Sequence, residues 1–147
     1  MSNGATPITI TGNLVDDPEL RFTPSGQAVA SFTVAVNRKK FDSETKRWED
    51  EGTDFHRCSA WRSLAENIAG SLLRGHRVVV DGILRSSQYE DREGNNRVAW
   101  EITAHSVGAE LTFASVKVDK TAYHKPASPA PEKTSERTGR TSRSPRK

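Results

Sequence analysis

TDFHRCSAWRSLAENIAGSLLRGHRVVVDGIL, from Thr53 to Leu84, reads as a strand, a short helix and a second strand. Successive side chains of a strand point to opposite faces. Phe55, Arg57, Ser59 and Trp61 therefore share one face, and Asp54, His56, Cys58 and Ala60 the other. That first face has two readings. In one, Phe55 and Trp61 are ordinary core and Arg57 passes them on its aliphatic stem; burying its charge unpaired would cost several kcal/mol. In the other, the face is a platform. Flat groups stack on exposed rings while a guanidinium holds the anions between them, as in single-stranded nucleic-acid binding, where each stack contributes roughly 1–3 kcal/mol. The strand alone leaves both open.

The chain has 147 residues, which suits one domain with a modest core. A formal charge of +3 and a pI near 9.2 conceal an uneven distribution. Beyond Lys120, seven Lys or Arg stand against Glu132 and Glu136, a net of +5 that leaves the rest of the chain at −2. A basic binding surface on the folded part must then be a local patch. Cys58 is the only cysteine, which excludes an internal disulfide framework and a cysteine-based zinc site. No apolar run approaches the ~20 residues of a membrane span, and the N-terminus lacks a signal-peptide pattern. A soluble, cytoplasmic protein is expected.

In TPITITGNL, Ile8 and Ile10 alternate with threonines, predicting a half-buried strand that Gly12 and Asn13 interrupt. DDPELRFTPSG offers at most a short strand between turns. From Ala28 to Asn37 the alternation of Ala28, Ala30, Phe32, Val34 and Val36 is unbroken. The charged stretch from Arg38 to Gly52 is expected as a long hairpin arm or loop; within it Phe41 and Trp48 are costly residues to leave idle in water. Leu64, Ile68 and Leu72, widened by Ala65, Ala69 and Leu73, predict a helix of about three turns, with Ser63 as its cap and Gly75 at its end. VVVDGIL predicts a buried strand, extending to Tyr89 with Arg85, Ser87 and Tyr89 on one face. Gly94 and Asn95 supply a hairpin tip. In the returning strand Val98, Trp100, Ile102 and Ala104 share a face, so Trp100 is expected to pack. GAELTFASVKVDKT holds a last alternation, readable as an extra strand for a partner subunit. Residues 1–120 form the expected domain; 121–147, rich in Pro, Ser, Thr and positive charge, form an expected disordered tail.

Three strands, a helix and two strands is the order of the OB architecture: all-β, a five-stranded Greek-key barrel with one helix between strands 3 and 4. Fold does not give function, and the placement of aromatics carries more weight. Phe41 lies on one arm, Phe55 and Trp61 on the third strand, and Tyr89 on the second arm. Their basic neighbours are Lys40, Arg57, Arg62 and Arg85 respectively.

The phrases GNLVDDPELRFTPSGQAVASF, DFHRCSAWRSLAENIAGSLLRG and SQYEDREG resemble the bacterial single-stranded DNA-binding proteins, particularly the actinobacterial form, in a co-linear match over roughly Ile8 to Lys120. The resemblance implies that Phe41, Phe55, Trp61 and Tyr89 are base-stacking positions. Trp is common at three of them and Phe where Trp61 stands. Arg57, Arg74, Arg85 and Arg97 match basic residues near the nucleic-acid backbone, while Ser63, Ser87 and Gln88 replace others. His56 matches a subunit-interface histidine, implying a homotetramer. ASVKVDK resembles an extra strand that clamps neighbouring subunits. The implied function is sequence-independent binding and protection of single-stranded DNA in replication, recombination or repair, without a cofactor and in association with the nucleoid. The ending SRSPRK departs from the acidic, Phe-terminated tip of the main replicative members. Recruitment of repair enzymes through such a tip is therefore not expected, and an accessory paralogue or mobile-element copy is. A basic tail would instead add nonspecific phosphate contacts.

Other classes fit less well. Ser59, His56 and Asp54 compose a triad on paper, but Asp54 and His56 face away from Ser59. No GxxxxGK[ST] phosphate loop occurs, His56 and Cys58 are too few for zinc, and DFHR carries one of the several carboxylates an OB-fold nuclease needs. An OB-fold adaptor or RNA-binding module is the alternative; it leaves the four aromatics without a clear purpose.

Overall fold

In a computed structural model, residues 4–120 are described. Among them are six strands and one helix: β1 (Thr6–Leu14), β2 (Glu19–Phe22), β3 (Ala28–Asp42), β4 (Arg47–Trp61), α1 (Ser63–Ser71), β5 (Arg77–Glu90) and β6 (Asn96–Ala109). Strict alternation decides the inside. Ala28, Ala30, Phe32 and Val34 of β3, Cys58 and Ala60 of β4, Val78 and Val80 of β5, and Ile102 and Ala104 of β6 are all buried. Each buried Val, Ile or Phe contributes about 1.5–3 kcal/mol.

Five long strands close into a ring. β1 pairs with β5, β5 with β6, β6 with β4, β4 with β3, and β3 returns to β1 through Asn13 opposite Ala35 and Leu14 opposite Val34. The β4–β6 contact, Arg57–Ser59 beside Glu101–Thr103, is parallel and the others are antiparallel. This is the expected OB barrel, with α1 between the third and fourth long strands. The short β2 adds a further edge beside the first residues of β3.

Closure explains why β1 does not stop at Gly12. The strand runs on to Leu14, and at Gly12 it passes so near β3 that a Cβ would overlap the Ala35 carbonyl oxygen. Gly82 is under the same constraint against the Thr103 carbonyl, beside the register shift that leaves His105 of β6 unpaired.

The helix is shorter than its apolar spacing suggests, and Ser63 does not cap it. Arg62 is the N-cap, without a side-chain cap bond. Ala65 and Ile68 are buried, whereas Leu73 is 56% exposed, because the chain has already turned extended at Leu72. Gly75, at φ 86°, serves the following turn, where His76 Nδ1 accepts from the Leu73 N–H at 3.0 Å.

The charged stretch after Asn37 is an arm: β3 and β4 stay paired to Asp42 and Arg47, well beyond the barrel. A second arm, β5 and β6, is paired to Glu90 and Asn96, with Gly94 at φ 85° in its tip. β6 ends at Ala109, and the segment read as an extra strand for a partner subunit lies beyond it; Phe113 is 82% exposed, with Arg77 over its ring at 5.7 Å. The compact unit ends at Val116. The tail expected as disordered lies outside the described residues. No helix among the described residues is long and apolar enough to cross a membrane.

Cys58 is buried, and desolvation, with the Glu101 carboxylate adding to it, pushes its thiol up to about 12. It behaves as a small apolar core residue, shielded from a bridging partner.

Gly12→Ala is expected to lower stability by about 1–3 kcal/mol in urea unfolding, because backbone must move to admit the methyl group. Unchanged stability would mean that β1 and β3 are not in close contact.

Candidate nucleic-acid interface

Strand register carries one face from arm to arm. On β3 and β4, Trp61 stands opposite Val29, Ser59 opposite Ser31, Arg57 opposite Thr33 and Phe55 opposite Ala35. Paired residues point to the same side, and their neighbours Ala30, Phe32, Val34, Cys58 and Ala60 fill the barrel. Phe55, Arg57 and Trp61 therefore lie on its outside. Phe55 is 64% exposed and Trp61 43%, which excludes the core reading.

The row continues sideways. Arg57 pairs with Glu101 across β4 and β6, and Glu101 with Arg85 across β6 and β5, so two arginines flank one carboxylate. Along the second arm Ser87 stands opposite Ala99 and Tyr89 opposite Arg97, on the same outer side, with Tyr89 52% exposed. Arg97 Nε donates to Asp91 Oδ2 at 2.9 Å, and Asp91 also accepts from the backbone N–H groups of Glu93 and Asn95. Arg97, first, and these amides hold the Asp91 carboxyl below its usual range.

On the first arm, Arg38 pairs with Gly52 but Lys39 pairs with Asp50, so β4 carries one extra residue, Glu51. This bulge reverses the parity of β4 beyond it. Trp48 thereby joins the outer face opposite Phe41, which with Lys39 holds that side by the unbroken alternation of β3. Arg38 spans the bulge from behind, its guanidinium 3.0 Å from Asp54 and 3.8 Å from Glu51.

The structure thus brings Phe41, Phe55, Trp61 and Tyr89 onto one outer surface, with Arg57, Arg85 and Arg97. Lys40 does not join them. It lies on the back of the arm, opposite Glu49, while Lys39 shares the side of Phe41. Arg62 follows Trp61 at the rim of a cleft of about 440 Å³ lined also by Gln27, Leu64, Thr103 and His105. Arg74 is in the turn after α1, its N–H bound to Asp17 Oδ1 at 2.8 Å. Asp17, Asp16, Glu19 and Glu101 border a cleft of about 270 Å³ beside Arg57, so the outer face has a carboxylate edge. His56 is half-buried on the opposite side, in register with Val34.

Ser59 points away from Asp54 and His56, so the paper triad is not assembled. Among the described residues no group of three or more His, Cys, Asp or Glu could hold a metal.

Two tryptophans differ from expectation. Trp100, expected to pack, is 60% exposed: its face is continuous with the buried Ile102 and Ala104, but on the arm there is no barrel interior left to enter. Trp48, 69% exposed, belongs to the outer face and was not among the sequence candidates. A count of two along β4 places it with Asp54 and His56; only the bulge reverses this.

A model of the single-strand binding protein family matches residues 6–109. Single-stranded DNA-binding protein 2 of Streptomyces coelicolor is 55% identical over 118 residues, which are 80% of this chain and 59% of that protein. The chain thus spans little more than half the length of that relative. The single-stranded DNA-binding protein of Mycobacterium tuberculosis is 46% identical over 140 residues, covering 92% of this chain and 85% of that one. The crystal structure of the small single-stranded DNA-binding protein from S. coelicolor matches with a TM-score of 0.64 and 34% identity, over 74% of this chain and 96% of that chain.

Arg62 carries local strain. Its φ of 63° and ψ of −134° belong to the first central position of a type II′ turn, where glycine is at ease. The conformation is held by its N–H donating to Ala28 O at 2.8 Å and its carbonyl accepting from Glu66 N at 3.1 Å. Arg62→Gly is expected to stabilise the fold by up to about 2 kcal/mol in chemical denaturation, since relieved strain of about 1–3 kcal/mol exceeds the entropy penalty of glycine. A loss of stability would mean that the arginine side chain itself secures the turn.

Proposed function

The chain belongs to the single-strand binding protein family, and on that footing we propose that it binds and protects single-stranded DNA, without sequence preference, during replication, recombination or repair. The observation that carries this reading is the exposure of four aromatics, Phe41, Phe55, Trp61 and Tyr89, on one outer surface between basic side chains. Every base has a face to stack, whereas guanidinium groups meet only phosphate, so affinity is independent of sequence. In a duplex the bases are already stacked on one another. Arg57, Arg85 and Arg97 take phosphates along the platform, and Arg62 and Arg74 do so at its rim. The Arg97–Asp91 pair opens as phosphate replaces the carboxylate.

The protein acts by binding rather than by catalysis, needs no cofactor, and works in the cytoplasm with the nucleoid. It assembles as a homotetramer with His56 at a subunit interface. The half-buried position of His56 on the side away from the platform supports this, since subunits can then join without covering the stacking face.

Titration with oligo(dT), matched duplex and matched RNA, read by tryptophan fluorescence at low and high salt, tests the reading. Strong quenching by oligo(dT) that persists at high salt, with little response to duplex, is the expected result. Preference for RNA would instead favour an RNA-binding module, and absence of binding an adaptor. Trp61→Ala is expected to cost about one stack, on the order of 1–3 kcal/mol, with the circular dichroism of the fold retained. Unfolding of that variant would return Trp61 to the core.

A further inference from the structure

We propose that Trp48 is a fifth base-stacking residue, forming with Phe41 a two-ring corner at the outer end of the first arm. This inference rests on the single-stranded DNA reading above and extends its binding surface.

Three observations carry it. The first is placement. The extra residue Glu51 turns Trp48 onto the side of Phe41, Phe55 and Trp61, and the Arg38 bridge to Glu51 and Asp54 fixes the bulge that does so. The second is geometry. The Phe41 and Trp48 ring centroids are 5.4 Å apart with an interplanar angle of 57°, so the rings meet at a tilt and neither covers the other's full face. Trp48 is 69% exposed and Phe41 49%. A base can lie flat on one ring with its edge toward the other, the arrangement that aromatic quadrupoles favour. The third is the contrast between the two sides of the arm. On the back, Lys40 stands opposite Glu49 and Asp42 opposite Arg47, complementary charges suited to a solvated surface. The front places the two rings opposite each other at the outer end, with Lys39 opposite Asp50 at the next position inward on that side. The arm thus presents its aromatics outward, where no core receives them.

A purely structural role for Trp48 would be to brace Phe41 across the strands. The two roles separate in a double-mutant comparison with the full chain. If Trp48 only braces Phe41, Trp48→Ala costs nothing further once Phe41 is already alanine. If it stacks a base, Trp48→Ala weakens oligo(dT) binding in the Phe41→Ala background as well, by roughly five-fold or more, the lower limit of one stack. The chain has three tryptophans, so a variant with Trp61→Phe and Trp100→Phe leaves Trp48 as sole reporter with its own arm intact. Its emission is expected to fall at the same DNA equivalence as the binding curve.

No further loss in the Phe41→Ala background, or emission of lone Trp48 unmoved at saturation, overturns the inference. Trp61→Ala measured in parallel keeps the two levels apart. Loss there with none at Trp48 removes only the fifth position, whereas no loss at either residue removes the stacking reading itself.

Discussion

Barrel closure is the constraint from which the rest follows. β1 must pair with β5 along most of its length and with β3 at its end, which requires glycine where Gly12 passes the Ala35 carbonyl. Once the ring is closed, every second residue of its strands points into a narrow interior, filled by Ala30, Val34, Val78, Val80 and Ile102. The residues between have only the outside. Ser31, Thr33 and Thr103 suit that position without comment; Phe55 and Trp61 do not. Their exposure on the outside is the feature on which the proposed stacking role rests.

The two arms enlarge this surface beyond what a barrel of this size could offer. Each is a ladder continuous with the barrel, so its residues keep a defined side out to the tip. Arm-borne Phe41 and Tyr89 can therefore be aligned with barrel-borne Phe55 and Trp61 through hydrogen-bonded register alone. Charge follows a similar division. The basic residues Arg57, Arg85 and Arg97 lie in the same row as the aromatics, whereas Asp16, Asp17 and Glu19 gather at one edge. A negative net charge on the domain is thus compatible with binding an anionic polymer, because the local arrangement of charge and not its sum meets the phosphates.

The barrel was legible wherever period-two alternation coincided with burial. Ala28 to Val36 declared their inner face directly, whereas Phe55 to Trp61 shared a face whose direction the strand alone left open, and the order of long strands about one helix followed. What was not legible depended on counting past a break. The Glu51 bulge reverses the parity of β4, so Trp48 could not be assigned to its side, and Lys40 was named as the basic neighbour of Phe41 by proximity in sequence alone. Trp100 failed for a different reason: its alternation with Ile102 is real, but an inward direction buries a side chain only where the barrel has an interior. Ser63 has the chemistry of a cap, yet Arg62 takes the cap position because the chain must turn sharply after Trp61. The carboxylate edge beside Arg57 joins residues from the β1–β2 connection, β2 and β6, and no spacing in the chain announces it.

The central claim is that bases lie on the outer face defined by Phe55, Trp61, Arg57 and Tyr89. Photo-cross-linking the full chain to an oligo(dT) carrying 5-iodouracil, followed by peptide mapping, tests it most directly. Adducts on Phe55, Trp61, Tyr89 and Phe41, with Trp100 unmodified, are the predicted result. Adducts confined to Trp100 on the opposite side, or to residues 121–147, would contradict it.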